Sequence, residues 1–429
     1  LSNNHYMSNQ TLSIMTTSLH ICIIGAGPGG LCLAQGLRKH GISFEVVEKD
    51  AALASRSQGY RLRIDHTGQT ALAACLPADL YDYFQRTCAL PSAQVNTLNT
   101  QLETLADKWV KDWRHDKTGT DAAPDLKADR LALREVLLTG LQEHVHFNKN
   151  LSDFTEQANG KILARFEDGS NCLADILVAA DGIHSRVRAL RFPDLTPQDT
   201  GNICIYGKTA YSKEITVQVA AELQNATTII FANEMAAVID AMKFDNAKRS
   251  NTNSGLISPV SNYLYWALIG KRSSFGLQTD QPLPATGLTI RNCLTQTTAS
   301  WATKLQTLFQ LTPAEALALL PVRTARTMPV WDTHRITALG DASHAMSPAS
   351  GLGANSALHD AAALARAIRQ IHAGAITTKD AIRNYEKQVR QHSFAAVSAS
   401  QEGSTQLFGS EDRPSDGHIQ TNQHQGQSK

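Results

Sequence analysis

The chain has 429 residues and a formal charge of +1, with 18% charged and 42% hydrophobic residues. Near-neutrality removes the electrostatic case for a nucleic acid or an anionic membrane as partner, and the apolar content allows a large buried core in two intimately joined domains. No apolar run approaches the roughly 18–20 residues that cross a bilayer, and seven scattered cysteines without a C-x-x-C pair argue against disulfides and zinc and for a soluble protein of a reducing cytoplasm.

Residues 1–18 are polar, lack the basic and apolar parts of a signal peptide, and are expected as a disordered extension. His20 to Ile24, HICII, reads as a short strand that stops at Gly25. GAGPGG follows, giving Gly25-x-Gly27-x-x-Gly30, and then LCLAQGLRKHG, where Gly30, Leu31, Ala34 and Leu37 share one helical face. Ile42 to Glu48, ISFEVVE, alternates like a strand and ends in an acid. Strand, tight turn, helix, strand and acid is the order of a dinucleotide site. Gly25 allows the turn, Gly27 lets the backbone approach a pyrophosphate, and Gly30 lets the helix pack on the strand. The helix N-terminus then offers free N–H groups to phosphate. Glu48, with Lys49 beside it, is placed to accept from the adenosine ribose, and its charge disfavours a 2′-phosphate. This motif alone leaves FAD and NAD both open.

ALASRSQGYRLRID carries Arg56, Gly59, Arg61 and Arg63. RLALREVLLTGL, from Arg130, is an amphipathic helix, and DILVAADGIHSRVR runs a buried strand into Asp181-Gly182. Arg186 and Arg188 stand there either as phosphate ligands or as solvated arginines. From about Gly201 to Arg323, NICIYGKTAY, ITVQVAAEL, TTIIFAN, MAAVIDAMKF and YLYWALIG alternate at strand spacing and predict an antiparallel sheet. Trp301 to Leu320 looks helical. HRITALGDASHAMSPASGLGANSALHDAAALARAI then gives a strand, Ile336 to Leu339, closed by Gly340-Asp341. A loop with Pro348, Gly351 and Gly353 opens into a helix from about Asn355. Thr378 to about Gln406 is a last amphipathic helix, and 409–429 reads as a disordered tail.

The stretch from Leu339 to Ala361 resembles the second flavin-contacting motif of the class A FAD-dependent aromatic hydroxylases, flavoprotein monooxygenases of the para-hydroxybenzoate hydroxylase fold. Small tetracycline-monooxygenase-like or salicylate-hydroxylase-like members are the kind it is most similar to. Their pattern G-D-A-x-H-x-x-x-P-x-x-G-x-G-x-N is met in full from Gly340 to Asn355. The resemblance implies that Asp341 hydrogen-bonds the ribityl chain of non-covalent FAD. It sets Gly351, Gly353, Ala354 and Asn355 against the pyrimidine edge of the flavin, where a helix N-terminus favours reduced flavin. It also implies that Arg130 contacts FAD, that Asp181 lies near the pyrophosphate, and that Arg56 and Gly59 lie in a loop over it. Arg61 and Arg63 compete with Arg56 for that place. His344 is expected as a structural hydrogen-bonder and His359 as a packing or surface residue.

The implied fold is α/β. A discontinuous FAD-binding Rossmann-like domain of the glutathione-reductase type covers 19–200 and 324–376. An antiparallel β-sheet substrate domain, 201–323, is inserted, with 90–125 as a further contributor, and a C-terminal helix spans 377–408. Tyr206, Phe231, Met242 and Tyr265 are the candidate pocket walls. A second G-x-G-x-x-G is absent, as is the W-x-W-x-I-P signature of tryptophan halogenases. The expected activity is hydroxylation of an aromatic, phenolic or enolic small molecule with O₂ and NADPH or NADH as transient co-substrate, through a C4a-hydroperoxyflavin. The flavin carries the chemistry, with no catalytic side chain and no metal. The expected partners are small molecules, with no nucleic acid, and the state a monomer or homodimer. The alternatives are a flavin-dependent reductase or oxidase of the same fold, or a flavoprotein without turnover.

Overall fold

The structure, a computed structural model, describes residues 19–55, 60–92, 94–108, 124–245, 257–279, 281–325, 331 and 334–408. The expected extension 1–18, the tail 409–429, and Arg56 and Gly59 therefore lie outside the described residues.

HICII and ILVA carry no polar face, and such strands need cover on both sides. They lie in the middle of a five-stranded parallel sheet. In chain order its strands are β1 (His20–Ile24), β2 (Ser43–Val47), β6 (Val145–His146), β10 (Ile176–Ala179) and β16 (Ile336–Ala338), arranged β16-β10-β1-β2-β6. Ile21 and Ile23 of β1 face a core shared with the helices Pro28–Lys39 and Gly353–His372. Cys22 and Ile24 face the other way, onto a three-stranded sheet of β7 (Leu151–Glu156), β8 (Ile162–Phe166) and β9 (Asn171–Ala174). A short antiparallel pair, β3 (Arg61–Ile64) and β5 (Leu126–Asp129), brings two of the arginines toward the sheet's C-terminal edge.

A separate six-stranded sheet holds β4 (Val95–Asn99), β11 (Gln198–Ala210), β12 (Thr227–Ala232), β13 (Met235–Met242), β14 (Tyr263–Lys271) and β15 (Ala318–Thr324), in the order β15-β11-β14-β13-β12-β4. All pairs are antiparallel except β4 with β12. One face packs Ile203, Ile205, Ile239 and Trp266 against helices, and the other presents Cys204, Tyr206, Ala267 and Ile269 toward the parallel-sheet layer.

Two predicted elements differ. ITVQVAAEL adds no strand: Lys213–Gln218 is a helix, and the hydroxyl of its N-cap Ser212 accepts the Ile215 N–H at 3.2 Å. Ile215, Val219 and Leu223 are buried while Val217 is 80% exposed, which is helical spacing in place of alternation. Trp301 to Leu320 is α-helical only over Thr303–Gln310, and its end enters β15. Pro321 fits there because β15 is an edge strand, where a missing N–H costs no ladder bond.

The final helix, Thr378–Phe408, is tied to the late motif. The Tyr385 hydroxyl donates to the Ala338 carbonyl at 2.9 Å, and the Ser400 hydroxyl to that of Ser347 at 2.9 Å. No helix among the described residues is long and apolar enough to cross a membrane.

Candidate functional site

The glycine turn is dictated by contact. A Cβ on Gly30 would lie 2.1 Å from the Gly25 carbonyl oxygen, and one on Gly25 2.3 Å from that of Ala180, where φ is also +113°. At Gly27 a Cβ would meet nothing within 4 Å, because that residue faces open space. The turn is held from outside by two charged side chains. Glu48 accepts the N–H groups of Ala26 at 2.8 Å and Asp50 at 3.0 Å. Arg134 donates to the Ala26 carbonyl from two nitrogens, at 3.1 and 3.0 Å, and to that of Leu53 at 2.7 Å. Lys49 points into solvent.

At the end of β16 the chain turns through Gly340, φ +58°, into Asp341. Asp360 holds that turn, accepting from the Gly340 N–H at 3.0 Å and pairing with His344 Nε2. Burial alone would push the Asp360 carboxyl up, but His344, His359 and the Gly340 N–H bring it down to about 2. Burial likewise opposes a charged His344, and Asp360 outweighs it, so its pKa is raised. His359 stacks on His392 with ring centroids 4.0 Å apart. Asn355 is buried and braces the loop: its amide donates to the carbonyls of Arg63 at 2.9 Å and Gly351 at 3.2 Å and accepts from the Asp65 N–H at 3.1 Å.

A cavity of about 500 Å³ joins these pieces. Its floor is the two turns, with Gly27, Pro28 and Gly29 from one and Asp341, Gly351, Gly353 and Ala354 from the other. Arg61, Arg63 and Arg130 line one side, and Tyr206, Val238 and Tyr265 of the six-stranded sheet face them. The helices that begin at Pro28 and Gly353 have no side-chain cap, so their first N–H groups stay available at the cavity. Asp341 is exposed only in the sense that it borders this space. Protein surrounds it, and the resulting desolvation raises its carboxyl pKa against the pull of His344, Arg130 and Arg188. Among the described residues no group hydrogen-bonds that carboxylate.

Other predicted residues fall elsewhere. Asp181 sits between lining residues Ala180 and Gly182; its Oδ2 accepts the Arg186 N–H at 2.6 Å, and burial pushes its pKa up. Arg188 is not a solvated arginine. It is buried and donates to the carbonyls of Ala342 at 2.8 Å and Ile183 at 2.5 Å, lacing the two segments together. Glu48 and Asn355 stand behind the lining.

Of the four pocket candidates, Tyr206 and Tyr265 line the cavity, and burial pushes the Tyr265 phenol up. Met242 does not, although it shares a face with Val238. It lies about four residues further along β13, roughly 13 Å away at ~3.3 Å per residue, inside a core with Phe244 and Tyr263. Phe231 sits one strand further out, on β12, beyond the lining.

The pattern of the family described as FAD binding domain matches residues 18–67 and 278–400. A dual O-methyltransferase/FAD-dependent monooxygenase of Cercospora beticola is 31% identical over 412 residues, which is 91% of this chain and 46% of that one. A solved chain described as an FAD-containing monooxygenase, from Photorhabdus luminescens, is 28% identical with a TM-score of 0.75, covering 91% of this chain and 99% of its own. The family pattern, the curated relative and the solved chain all match a class A flavoprotein monooxygenase family. It spans about half the length of the curated relatives it matches first. Another flavoprotein of this fold, from Klebsiella pneumoniae and solved with FAD and uric acid, is 19% identical with a TM-score of 0.70 over 92% of this chain and 90% of its own.

The parts of this flavoprotein site that motif reading missed are supports. Arg134 had a signal, because it is the second arginine of R-x-x-L-R, but spacing does not say which arginine faces the ligand. Asp240 had one too, as the lone acid of the fully buried strand MAAVIDAM.

Proposed function

We propose that the protein is an FAD-dependent monooxygenase that uses NADPH or NADH and O₂ to hydroxylate an aromatic, phenolic or enolic small molecule. The observation that carries this reading is the single cavity shared by the glycine turn, the Asp341 loop and an apolar sheet wall. Its donor set fits FAD. The uncapped N-terminus at Gly27–Gly29 suits the pyrophosphate, and Arg130 adds a cation beside it. Glu48 holds the turn and keeps acceptor capacity for the adenosine ribose. Asp341, a carboxylate with no donor among the described residues, suits a hydroxyl-rich chain, and the N-terminus at Gly353–Ala354 suits an electron-rich ring edge.

When bound and reduced, FAD supplies the oxygen-activating chemistry that no side chain here provides. The chain's own contribution is positional. Tyr206, Tyr265 and Val238 form a wall that excludes water and fixes a flat substrate over the floor. His344, paired through Nε2 with Asp360 and outside the cavity lining, serves the turn. The 201–323 segment is accordingly the substrate-binding part.

The test is a screen of phenols, naphthols and enolic polyketides against the FAD-loaded protein. NADPH and NADH consumption would be followed and products weighed by mass spectrometry. A substrate that stimulates consumption and gains one oxygen supports the proposal. Consumption with a reduced product and no added oxygen would replace it with a reductase.

A further inference from the structure

A cluster of ligating side chains lies at the end of the parallel sheet away from the cavity, and none of these roles uses it. His20 opens β1, Glu45 stands on β2, and Cys172 comes from β9 of the three-stranded sheet. An imidazole nitrogen of His20, a carboxylate oxygen of Glu45 and the Cys172 sulfur all lie within 4.8 Å of one another. Gly25 follows His20 at the far end of β1, so the cluster sits roughly 16 Å from the glycine turn at ~3.3 Å per residue.

The topology forces this meeting. β1 and β2 pair in parallel, with His20 opposite Ser43 and Cys22 opposite Glu45. Side chains alternate across a sheet, so these four share one face, the face that β9 covers. The His20 ring is held between two partners: Nδ1 lies 2.8 Å from the Ser43 hydroxyl, and Nε2 lies 3.7 Å from the Cys172 sulfur. A tetrahedral Zn²⁺ with bonds of about 2.3 Å to sulfur and about 2.0 Å to nitrogen sets those two atoms about 3.5 Å apart, close to the 3.7 Å seen. Cys172 is 5% exposed, and the wholly buried Cys22 thiol adjoins it. Among the described residues no cationic side chain other than His20 meets the Glu45 carboxylate. The neighbouring acid Asp175 is engaged elsewhere, by the His20 N–H at 2.9 Å and the Lys161 ammonium at 3.1 Å.

We infer that His20, Glu45 and Cys172 form a structural site for one Zn²⁺ ion, with Cys22 the nearest group for its fourth position. Thiolate, imidazole and carboxylate together suit this borderline-soft ion. Ser43 is the positioning residue, because its hydroxyl takes the Nδ1 proton and leaves Nε2 for the metal. The ion clamps the three-stranded sheet to the two strands that frame the glycine turn. This reverses the expectation drawn from cysteine spacing. No C-x-x-C pair marks the site, because its ligands come from three strands, with His20 and Cys172 152 residues apart. The inference stands apart from the monooxygenase reading.

The test uses the full chain with its flavin, thiols reduced, after chelator treatment and dialysis. Co²⁺ is titrated in as a coloured stand-in for Zn²⁺, and absorption is read to the red of the flavin. One equivalent should bring up the bands of a tetrahedral, thiolate-bound ion, and Zn²⁺ should bleach them. One equivalent of Zn²⁺ should also raise the Tm, because an ion that binds only the folded state stabilises it. Competition with a chromophoric chelator gives the Zn²⁺ affinity.

Cys172→Ser and His20→Gln should each lose the bands and the Zn²⁺-dependent rise in Tm while keeping the wild-type FAD content. Ser43→Ala, at an exposed position, should fold normally and weaken Zn²⁺ binding about 10- to 100-fold, the scale of losing the partner of a ligand histidine. That variant decides the matter if the ligand variants do not fold. Absence of the bands, bands without thiolate character, binding that survives Cys172→Ser and His20→Gln, or an unchanged affinity in Ser43→Ala would each overturn the inference.

Discussion

Replacing Asp341 by Asn keeps the shape of the side chain and removes its charge. In the protein that carboxylate has no hydrogen-bond donor among the described residues, and desolvation comes first among the influences on it, raising its pKa. A carboxylate whose folded pKa is raised is strained when ionised, so at neutral pH the charge costs the ligand-free fold stability. Its benefit must come from a ligand. A hydrogen bond to a charged acceptor contributes about 1.5–3 kcal/mol net, so Asp341→Asn should weaken FAD binding by about 10- to 150-fold. The stability of the flavin-free protein should hold or rise. Titration of the deflavinated protein, following FAD fluorescence, measures the first effect, and thermal unfolding of the same samples measures the second. An unchanged FAD Kd, or a flavin-free Tm that falls along with affinity, would refute this reasoning.

The glycine turn offers a contrast within one motif. Gly30→Ala should fail to fold or lose many degrees of Tm, because its Cβ would lie 2.1 Å from the Gly25 carbonyl oxygen. Gly27→Ala should fold with an unchanged flavin-free Tm and lose FAD affinity, since its Cβ enters only open space; equal thermal damage in the two variants would contradict this. The Asp360–His344 pair predicts a pH signature. Asp360 is depressed from 3.8 to about 2, so its contribution is complete above pH 4 and is lost as pH falls toward 2. At about 1.4 kcal/mol per unit that is about 2 kcal/mol, seen in urea unfolding as a gap between wild type and Asp360→Asn that closes across this range. His344 is raised, so its share is full below about pH 6.5 and fades as pH climbs through its folded value. A gap independent of pH would show that the pair is not ionised as described.

Much of the fold was legible because its signals are local. HICII and ILVA declare buried strands by having no polar face, and GAGPGG between a strand and a helix leaves few conformations for the turn. The late motif names Asp341, Gly351, Gly353 and Ala354, and the fold gathers these four around one space. What was illegible depends on partners distant in sequence. ITVQVAAEL alternates on paper, yet Ser212 caps it as a helix that buries Ile215 and Val219. Met242 and Val238 share a face of β13, and only the crossing of the sheet over the turns decides that one lines the cavity and the other fills a core. The Arg61–Asp240–Lys127 cluster joins three strands whose charges no spacing rule connects.

On the proposed function, FAD bound in this cavity would supply one atom of O₂ to an aromatic or enolic substrate. Turnover of the best substrate from the screen under ¹⁸O₂, with mass spectrometry of the product, tests it most directly. One ¹⁸O atom per product is expected, formed only with FAD and reduced nicotinamide present. Oxygen drawn from water, or NAD(P)H consumption with an unlabelled product, would contradict it.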